Sequence, residues 1–353
     1  MNLVNRSVLV LTLCLSPILL FNTYAAEAPG MTVKSRNLPV PAAASEQLQT
    51  SIASTGAAFF ALGDQRLETS EDWEAFLAVR NSGQTIPLEP LAQMSDVTIE
   101  REQIAGINVY RVIPNEIAPE HTDHLFLHVH GGGYVLGGGD ASVTEAVTIA
   151  SASGIPAISI DYRMPPDYPF PTAVEDTVAV YKEVLKTHEA NGIALGGTSA
   201  GGGLAFAAIL QLKDQDIPLP GALYAGTPWA DLSNTSDTLS TNAGVDRVLG
   251  SYEGFLEAAA LLYANGRDLK DPLLSPLYGD FGGFPPTILF SGTRDLLLSD
   301  TVRSHRKLRA ASVTADLHVF EGMSHAGYLV AGRAPEAQVM FAELSRFLKA
   351  HLH

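Results

Sequence analysis

Short apolar runs alternate with longer segments of helical periodicity from about residue 120 to the end of the chain. Short apolar runs bounded by Gly, Pro or Asp are typical of buried strands, whereas the longer periodic segments are typical of amphipathic helices. Their alternation predicts a mostly parallel sheet with helices on both faces. The predicted strands are 125–129, 157–161, 193–196, 221–225, 287–291 and 316–320, and the predicted helices lie near 141–153, 172–188, 200–213, 300–311 and 335–351.

The segment before this alternation has a different pattern. Residues 27–94 predict helices interrupted by prolines, one of them with Ser70 as its N-cap and Trp73 on its apolar face. Residues 97–99 and 107–112 then predict two strands around a turn. The first strands therefore follow a helical region instead of opening the chain.

A second helical region interrupts the later alternation at 233–268, which is rich in Ser, Thr and Ala. We expect it to cover the carboxyl edge of the sheet, together with the helices of the N-terminal region. The predicted divisions are a signal peptide at 1–25, an N-terminal helical cap at 26–95, and a catalytic core at 96–353 with a cap insertion at about 233–268.

The first 26 residues have the three parts of a secretory signal. A short basic start is followed by the apolar stretch 8–21 and by small residues at 23–26. We expect cleavage near Ala25, no stable membrane anchor afterwards, and a periplasmic or secreted protein. Cys14, the only cysteine, lies inside this segment. A mature chain without it has no disulfides or thiolate chemistry.

Composition excludes one class of partner and leaves enzymes open. The 353 residues carry a formal charge of −16 and no cluster of Lys and Arg, so we expect no nucleic-acid binding. With 46% hydrophobic residues, the chain can form one large core. A homodimer remains open.

The strongest chemical signal is Gly197-Thr198-Ser199-Ala200-Gly201. It follows a predicted strand and precedes a predicted helix, which is the context of a nucleophile elbow. The two glycines permit a tight turn, and the helix N-terminus favours developing negative charge beside the hydroxyl. Ser199 is therefore the predicted nucleophile.

A second motif, His130-Gly131-Gly132-Gly133, directly follows the predicted strand 125–129. Its glycines allow backbone N–H groups to turn toward a ligand, and a tetrahedral oxyanion requires such donors. We expect the N–H groups of Gly132, Gly133 and Ala200 to form the oxyanion hole. His130 is expected to brace the loop. A phosphate-binding loop is disfavoured because no Gly-Lys-Ser/Thr follows.

The chain resembles the bacterial hormone-sensitive-lipase family of α/β-hydrolases from about residue 97 onward. The resemblance rests on the two motifs above and on Asp161-Tyr162-Arg163-Met164-Pro165-Pro166. It implies the α/β-hydrolase fold with a helical cap, and a triad in the order Ser, acid, His. Position 198 is Thr where many relatives have Asp, which marks a subgroup.

The resemblance places the acid after a late strand and the His near the C-terminus. Asp295 and His325 occupy such positions, each after a predicted strand. Leu296 follows the acid where the family often has Pro, and Asp300 is a nearby alternative acid. Tyr134, Trp229 and Tyr328 are further candidates to line the substrate pocket.

Two histidines, His128 and His130, share a strand face and could suggest a metal pair. No third ligand stands at a recognisable spacing, so we expect no metal and no cofactor. The predicted function is hydrolysis of small carboxylic esters through an acyl-enzyme, and the family resemblance implies a preference for short acyl chains. A lactone hydrolase or an amidase could use the same residues. A non-catalytic binding protein on this fold is the other alternative.

Overall fold

A computed structural model describes residues 30–33, 35, 37–54, 56, 58–60, 67–81 and 86–353 of the chain. The predicted signal peptide at 1–25, with Cys14, lies outside the described residues. Among the residues that are described, none of the helices has both the length and the apolar character needed to cross a membrane.

The framework is one eight-stranded sheet in the order β1-β2-β4-β3-β5-β6-β7-β8. β1 and β2 form an antiparallel hairpin, β2 pairs antiparallel with β4, and the remaining neighbours are parallel. The strands are β1 Val97–Ile104, β2 Ile107–Pro114, β3 Leu125–Val129, β4 Ala157–Ile160, β5 Ile193–Thr198, β6 Ala222–Gly226, β7 Thr287–Gly292 and β8 Ala315–Phe320.

The central strands are buried on both faces, which explains why their sequences are continuous apolar runs. Each predicted strand is present, and the ends differ from prediction by a few residues. β5 is the informative case, because it continues through Gly197 and Thr198 to the residue before Ser199. Flanking glycines end an apolar pattern in the sequence without ending the strand itself.

Helices cover both faces of the sheet, and each face has its own apolar core. α5 and α6 pack on one face with residues such as Val178 and Leu204. α4 and α11 pack on the other with residues such as Val147 and Leu344. The helices are α1 Glu46–Ser54, α2 Ser70–Asn81, α3 Leu88–Ser95, α4 Thr144–Ser153, α5 Thr172–Val184, α6 Ala200–Asp214, α7 Thr238–Thr241, α8 Glu257–Ala264, α9 Leu298–Ala310, α10 Gly327–Val330 and α11 Pro335–His351.

The start of α2 corrects one prediction. Thr69, not Ser70, caps this helix: the Asp72 N–H donates to Thr69 Oγ1 at 3.1 Å, and the Thr69 N–H donates to Asp72 Oδ2 at 2.8 Å. This reciprocal pair is a capping box with Asp in the acidic position. Thr69 is the N-cap because an acidic residue stands three positions after it, whereas Trp73 stands three positions after Ser70.

Aromatic contacts join the N-terminal helices to the insertion between β6 and β7. The Phe255 ring, from the insertion, stacks on Phe60 with centroids 4.7 Å apart and lies 5.7 Å from the Phe76 ring of α2. Arg80 adds its guanidinium at 4.8 Å from the Phe59 ring. Aromatic pairs in such geometries add to the stabilisation from buried area. The two sequence regions expected to cover the sheet therefore contact each other.

Candidate active site

Ser199 occupies a strained turn between β5 and α6. Its backbone has φ 64° and ψ −123°, a conformation that L-residues rarely adopt and that clusters at functional sites. Its N–H donates to the Gly226 carbonyl at 2.8 Å. The turn also lies close to the end of β3: a Cβ on Gly197 or Gly201 would lie 1.9 or 2.0 Å from the Val129 oxygen. Only glycine fits at those two positions.

His325 and Asp295 are in direct contact at the same edge of the sheet. His325 Nδ1 lies 3.0 Å from Asp295 Oδ1. The second Asp295 oxygen accepts the Ser291 hydroxyl at 2.6 Å, and the Leu297 N–H donates to Oδ1 at 2.9 Å. Because a carboxylate only accepts, Nδ1 carries the proton and Nε2 keeps its lone pair. This is the imidazole tautomer that a general base requires.

Asp300, the alternative acid, is used elsewhere. Its Oδ2 accepts the N–H groups of Ala230 and Asp231 at 3.0 and 2.9 Å, and its Oδ1 accepts the Ser236 hydroxyl. Burial raises the pKa of this carboxyl to about 7. Asp300 therefore braces the segment after β6, and it is Asp295 that the structure brings to His325.

The glycine loop after β3 lies beside Ser199. A Cβ on Gly131 would be 3.4 Å from Ser199 Cβ. Gly132 and Gly133 have positive φ values, of 112° and 64°. In the described part of the chain, their N–H groups have no hydrogen-bond acceptor. Ala200 begins α6, where helix N–H groups lack intrahelical partners. The three N–H groups expected for the oxyanion hole are thus available to a ligand.

His130 packs behind this loop. Its ring stacks on Tyr162 with centroids 4.0 Å apart, and Nδ1 lies 2.7 Å from the Gly131 carbonyl oxygen. The Tyr162 hydroxyl donates to the His130 carbonyl at 3.0 Å. Burial lowers the pKa of His130 to about 3, so the ring is neutral at physiological pH. These contacts agree with the expectation that His130 braces the loop.

A cavity of about 820 Å³ is lined by Ser199, His325, Gly132 and Gly133. This size suits a small organic ligand. On the cap side its wall is apolar apart from Arg80, and on the side of α4 it reaches polar side chains. The cap-side residues are Phe59, Phe60, Val248, Leu249, Phe255 and Leu256, and the polar ones include Ser142, Glu145 and Thr198.

Known proteins resemble this chain in sequence and in fold. Residues 126–329 match a family described by its alpha/beta hydrolase fold. An esterase called E25 aligns in its crystal structure with a TM-score of 0.88 and 47% identity, over 92% of this chain and 99% of that one. A crystal structure of an esterase from the bacterial hormone-sensitive lipase family gives a TM-score of 0.72 and 32% identity, over 88% and 99%. The chain belongs to this family.

A curated relative agrees with the structural neighbours. An acetyl-hydrolase of Streptomyces hygroscopicus is 32% identical over 66% of this chain and 78% of its own length. The predictions of the hormone-sensitive lipase family, of its α/β-hydrolase fold and of a serine carboxylic ester hydrolase are confirmed.

The structure places the three pocket candidates differently. Tyr134 and Trp229 do not line the cavity that holds Ser199. Tyr134 has a φ of 65°, and its buried ring stacks on Tyr263 with centroids 4.2 Å apart. Trp229 is fully buried, and its backbone N–H donates to the Ser199 carbonyl at 2.9 Å. Tyr328 does line the cavity.

A buried polar cluster behind the nucleophile was missed from the sequence. Glu145 Oε1 accepts the hydroxyls of Thr198 and Tyr224 at 2.5 and 2.9 Å, and Oε2 lies 3.0 Å from His128 Nε2. Tyr328 joins through its hydroxyl, 2.7 Å from Thr198 Oγ1. Both nitrogens of His128 are engaged, since Nδ1 contacts the Ser159 hydroxyl. The cluster fixes the side chain that precedes Ser199.

Replacing each candidate acid by its amide tests the assignment. In Asp295→Asn the imidazole loses its orienting carboxylate, and we expect turnover of a simple ester to fall by about four orders of magnitude. Asp300→Asn is the matched control, because it removes an equally buried carboxylate away from His325 and should leave turnover close to wild type. Steady-state kinetics on folded variants measure both. The reverse ranking would move the acid to Asp300.

Proposed function

We propose that this hydrolase cleaves carboxylic esters with Ser199 as nucleophile, His325 as general base and Asp295 as the group that orients the imidazole. The observation that carries the proposal is the Asp295–His325 contact of 3.0 Å, in a cavity that also exposes Ser199 and the glycine loop. A binding protein that had lost catalysis would have no need of all three residues together.

In the first half of the reaction, Ser199 Oγ attacks the ester carbonyl while His325 Nε2 takes its proton. The carbonyl oxygen becomes an oxyanion that accepts hydrogen bonds from the N–H groups of Gly132, Gly133 and Ala200. As the intermediate collapses, the imidazolium returns the proton to the leaving alcohol. The acyl group remains on Ser199.

The second half repeats these roles with water. His325 Nε2 takes a proton from a water molecule, whose oxygen attacks the acyl carbonyl. The same N–H groups hold the second oxyanion. When it collapses, the proton passes to Ser199 Oγ and the carboxylic acid is released. Each half therefore uses one proton, held by one imidazole that Asp295 keeps in place.

Ser199→Ala tests the assignment directly. Because no nucleophile remains, we expect turnover to fall by at least about three orders of magnitude with the fold intact. A serine-directed phosphonate should label the wild-type protein once, on Ser199, and leave the variant unlabelled. Mass spectrometry and circular dichroism provide these measurements. A folded variant with more than a few per cent of wild-type turnover would exclude Ser199 as nucleophile.

The preferred substrates in this proposal are esters of short acyl chains. Phe255 limits the space above the oxyanion loop, since a Cβ on Gly133 would be 3.2 Å from its ring. The name of the Streptomyces relative, an acetyl-hydrolase, supports the same class. Lactones and amides remain alternatives, because the same nucleophile and oxyanion donors would act on them.

A panel of p-nitrophenyl esters of rising acyl length measures this preference. We expect kcat/KM to be highest for short chains, and Phe255→Leu to raise the ratio of long-chain to short-chain kcat/KM by shortening the side chain above the loop. Phe281→Leu is the control: Phe281 is equally buried but packs on Phe206 and Phe284, away from the cavity. An equal change of the ratio in both variants would contradict a role for Phe255 in selection.

Export to the periplasm or the medium completes the proposal. It is supported by the basic, apolar and small-residue order of residues 1–26. Expression of the full chain in a bacterial host should give a protein in the periplasmic fraction or the medium whose mass corresponds to cleavage after Ala25 or Ala26. A chain lacking residues 1–25 should stay in the cytoplasm. An uncleaved full-length protein in the cytoplasm would refute export.

A further inference from the structure

Asp246 lies in the insertion between β6 and β7, and its side chain is completely buried. Both of its oxygens accept backbone N–H groups, two each. Oδ2 accepts from Leu296 at 2.7 Å and from His325 at 3.1 Å. Oδ1 accepts from Val248 at 2.7 Å and from Leu249 at 3.0 Å. One carboxylate thus joins three segments of the chain.

Two of these segments carry the catalytic pair. Leu296 directly follows Asp295, and the other N–H belongs to His325 itself. Since both N–H groups converge on the same oxygen, Asp246 fixes the separation of the two loops on which the Asp295–His325 contact depends. A displacement of about 1 Å between catalytic groups can cost about two orders of magnitude in rate.

The third segment belongs to the wall of the cavity. Val248 and Leu249 line the same cavity as Ser199. Neighbouring residues add two further hydrogen bonds. The side-chain amide of Asn242 donates to the backbone carbonyl of Asp295 at 2.8 Å. The backbone N–H of Arg247 donates to the Ser324 hydroxyl at 3.0 Å. The insertion is therefore attached to both catalytic loops, and Asp246 is the centre of this attachment.

Asp246 also brings a second carboxyl group close to the imidazole. Four N–H donors favour its ionised form, because a protonated oxygen would face a donor with a donor. Burial, followed by the Asp295 charge, raises the pKa of Asp246 above its ordinary value, while His325 and the backbone N–H donors oppose this shift. Asp295 and His325 are the titratable groups that act on it. Of the adjacent cations, Arg247 directs its guanidinium to the Gly56 carbonyl, and Arg294 precedes the acid in the chain.

We propose that Asp246 is a positioning residue of the active site, which holds the acid and base loops in register with the cap insertion and stabilises the imidazolium of His325. It does not touch substrate. This role rests on the proposed function, because it acts through the Asp295–His325 pair. It goes beyond a triad, since a carboxylate from the cap insertion becomes part of the machinery of the core.

Asp246→Asn in the full chain separates this role from simple stabilisation. The amide keeps the size of the side chain but removes the charge and two acceptor positions. We expect kcat to fall at least about tenfold, because the imidazolium formed in the transition state loses a stabilising charge. The acid limb of the kcat/KM profile should also move to lower pH, because the imidazolium loses the same stabilising charge. A purely structural carboxylate would not move this limb.

Asp300→Asn is the matched control for burial and for lost backbone acceptors. It should leave the acid limb at its wild-type position, whatever its effect on the melting temperature. A folded Asp246→Asn variant with wild-type kcat and an unshifted acid limb would overturn the proposal. Failure of the triad itself would show differently, as activity that survives Ser199→Ala.

Asp246→Glu keeps the proposal testable if the asparagine variant does not fold. Glutamate retains the charge but moves the carboxylate by one methylene. We expect the acid limb to stay near its wild-type position while kcat falls, since the two loops are displaced. A glutamate variant with wild-type kcat would contradict the positioning role, because catalysis would then not depend on where the carboxylate lies.

Discussion

The close approach of β3 to the nucleophile turn is the constraint on which the rest of the site depends. The Val129 carbonyl at the end of β3 lies so near Gly197 and Gly201 that neither position can hold a side chain. Parallel pairing of β3 with β5 produces this proximity. As a result, the glycine loop that follows β3 and Ser199 that follows β5 lie side by side at the same edge of the sheet.

Much of this arrangement could be predicted because it is local in sequence. The apolar runs identified the strands, and the prediction for β3 at 125–129 matches its observed limits. The elbow around Ser199 combines a strand, a tight turn and a helix within a few residues, so one motif describes it. Asp295 and His325 were reached through the family resemblance, since their order along the chain is shared even where neighbouring residues such as Leu296 differ.

What the sequence did not disclose depends on contacts between distant positions. Asp246 meets the His325 N–H across 79 positions, and Glu145 meets Thr198 across 53. No spacing rule reports such pairs. Tyr134 is a different case: its ring packs on Tyr263 in the core, and the polarity pattern around a glycine loop does not indicate in which direction an aromatic side chain points.

The contact between Thr198 and Glu145 limits which residues position 198 can hold. Asp in place of Thr198 would put a second carboxyl group against Glu145 in a buried cluster, where two like charges cannot both be ionised without a large cost. The two positions are therefore epistatic. An acidic residue at position 198 would be tolerated only together with a different residue at position 145.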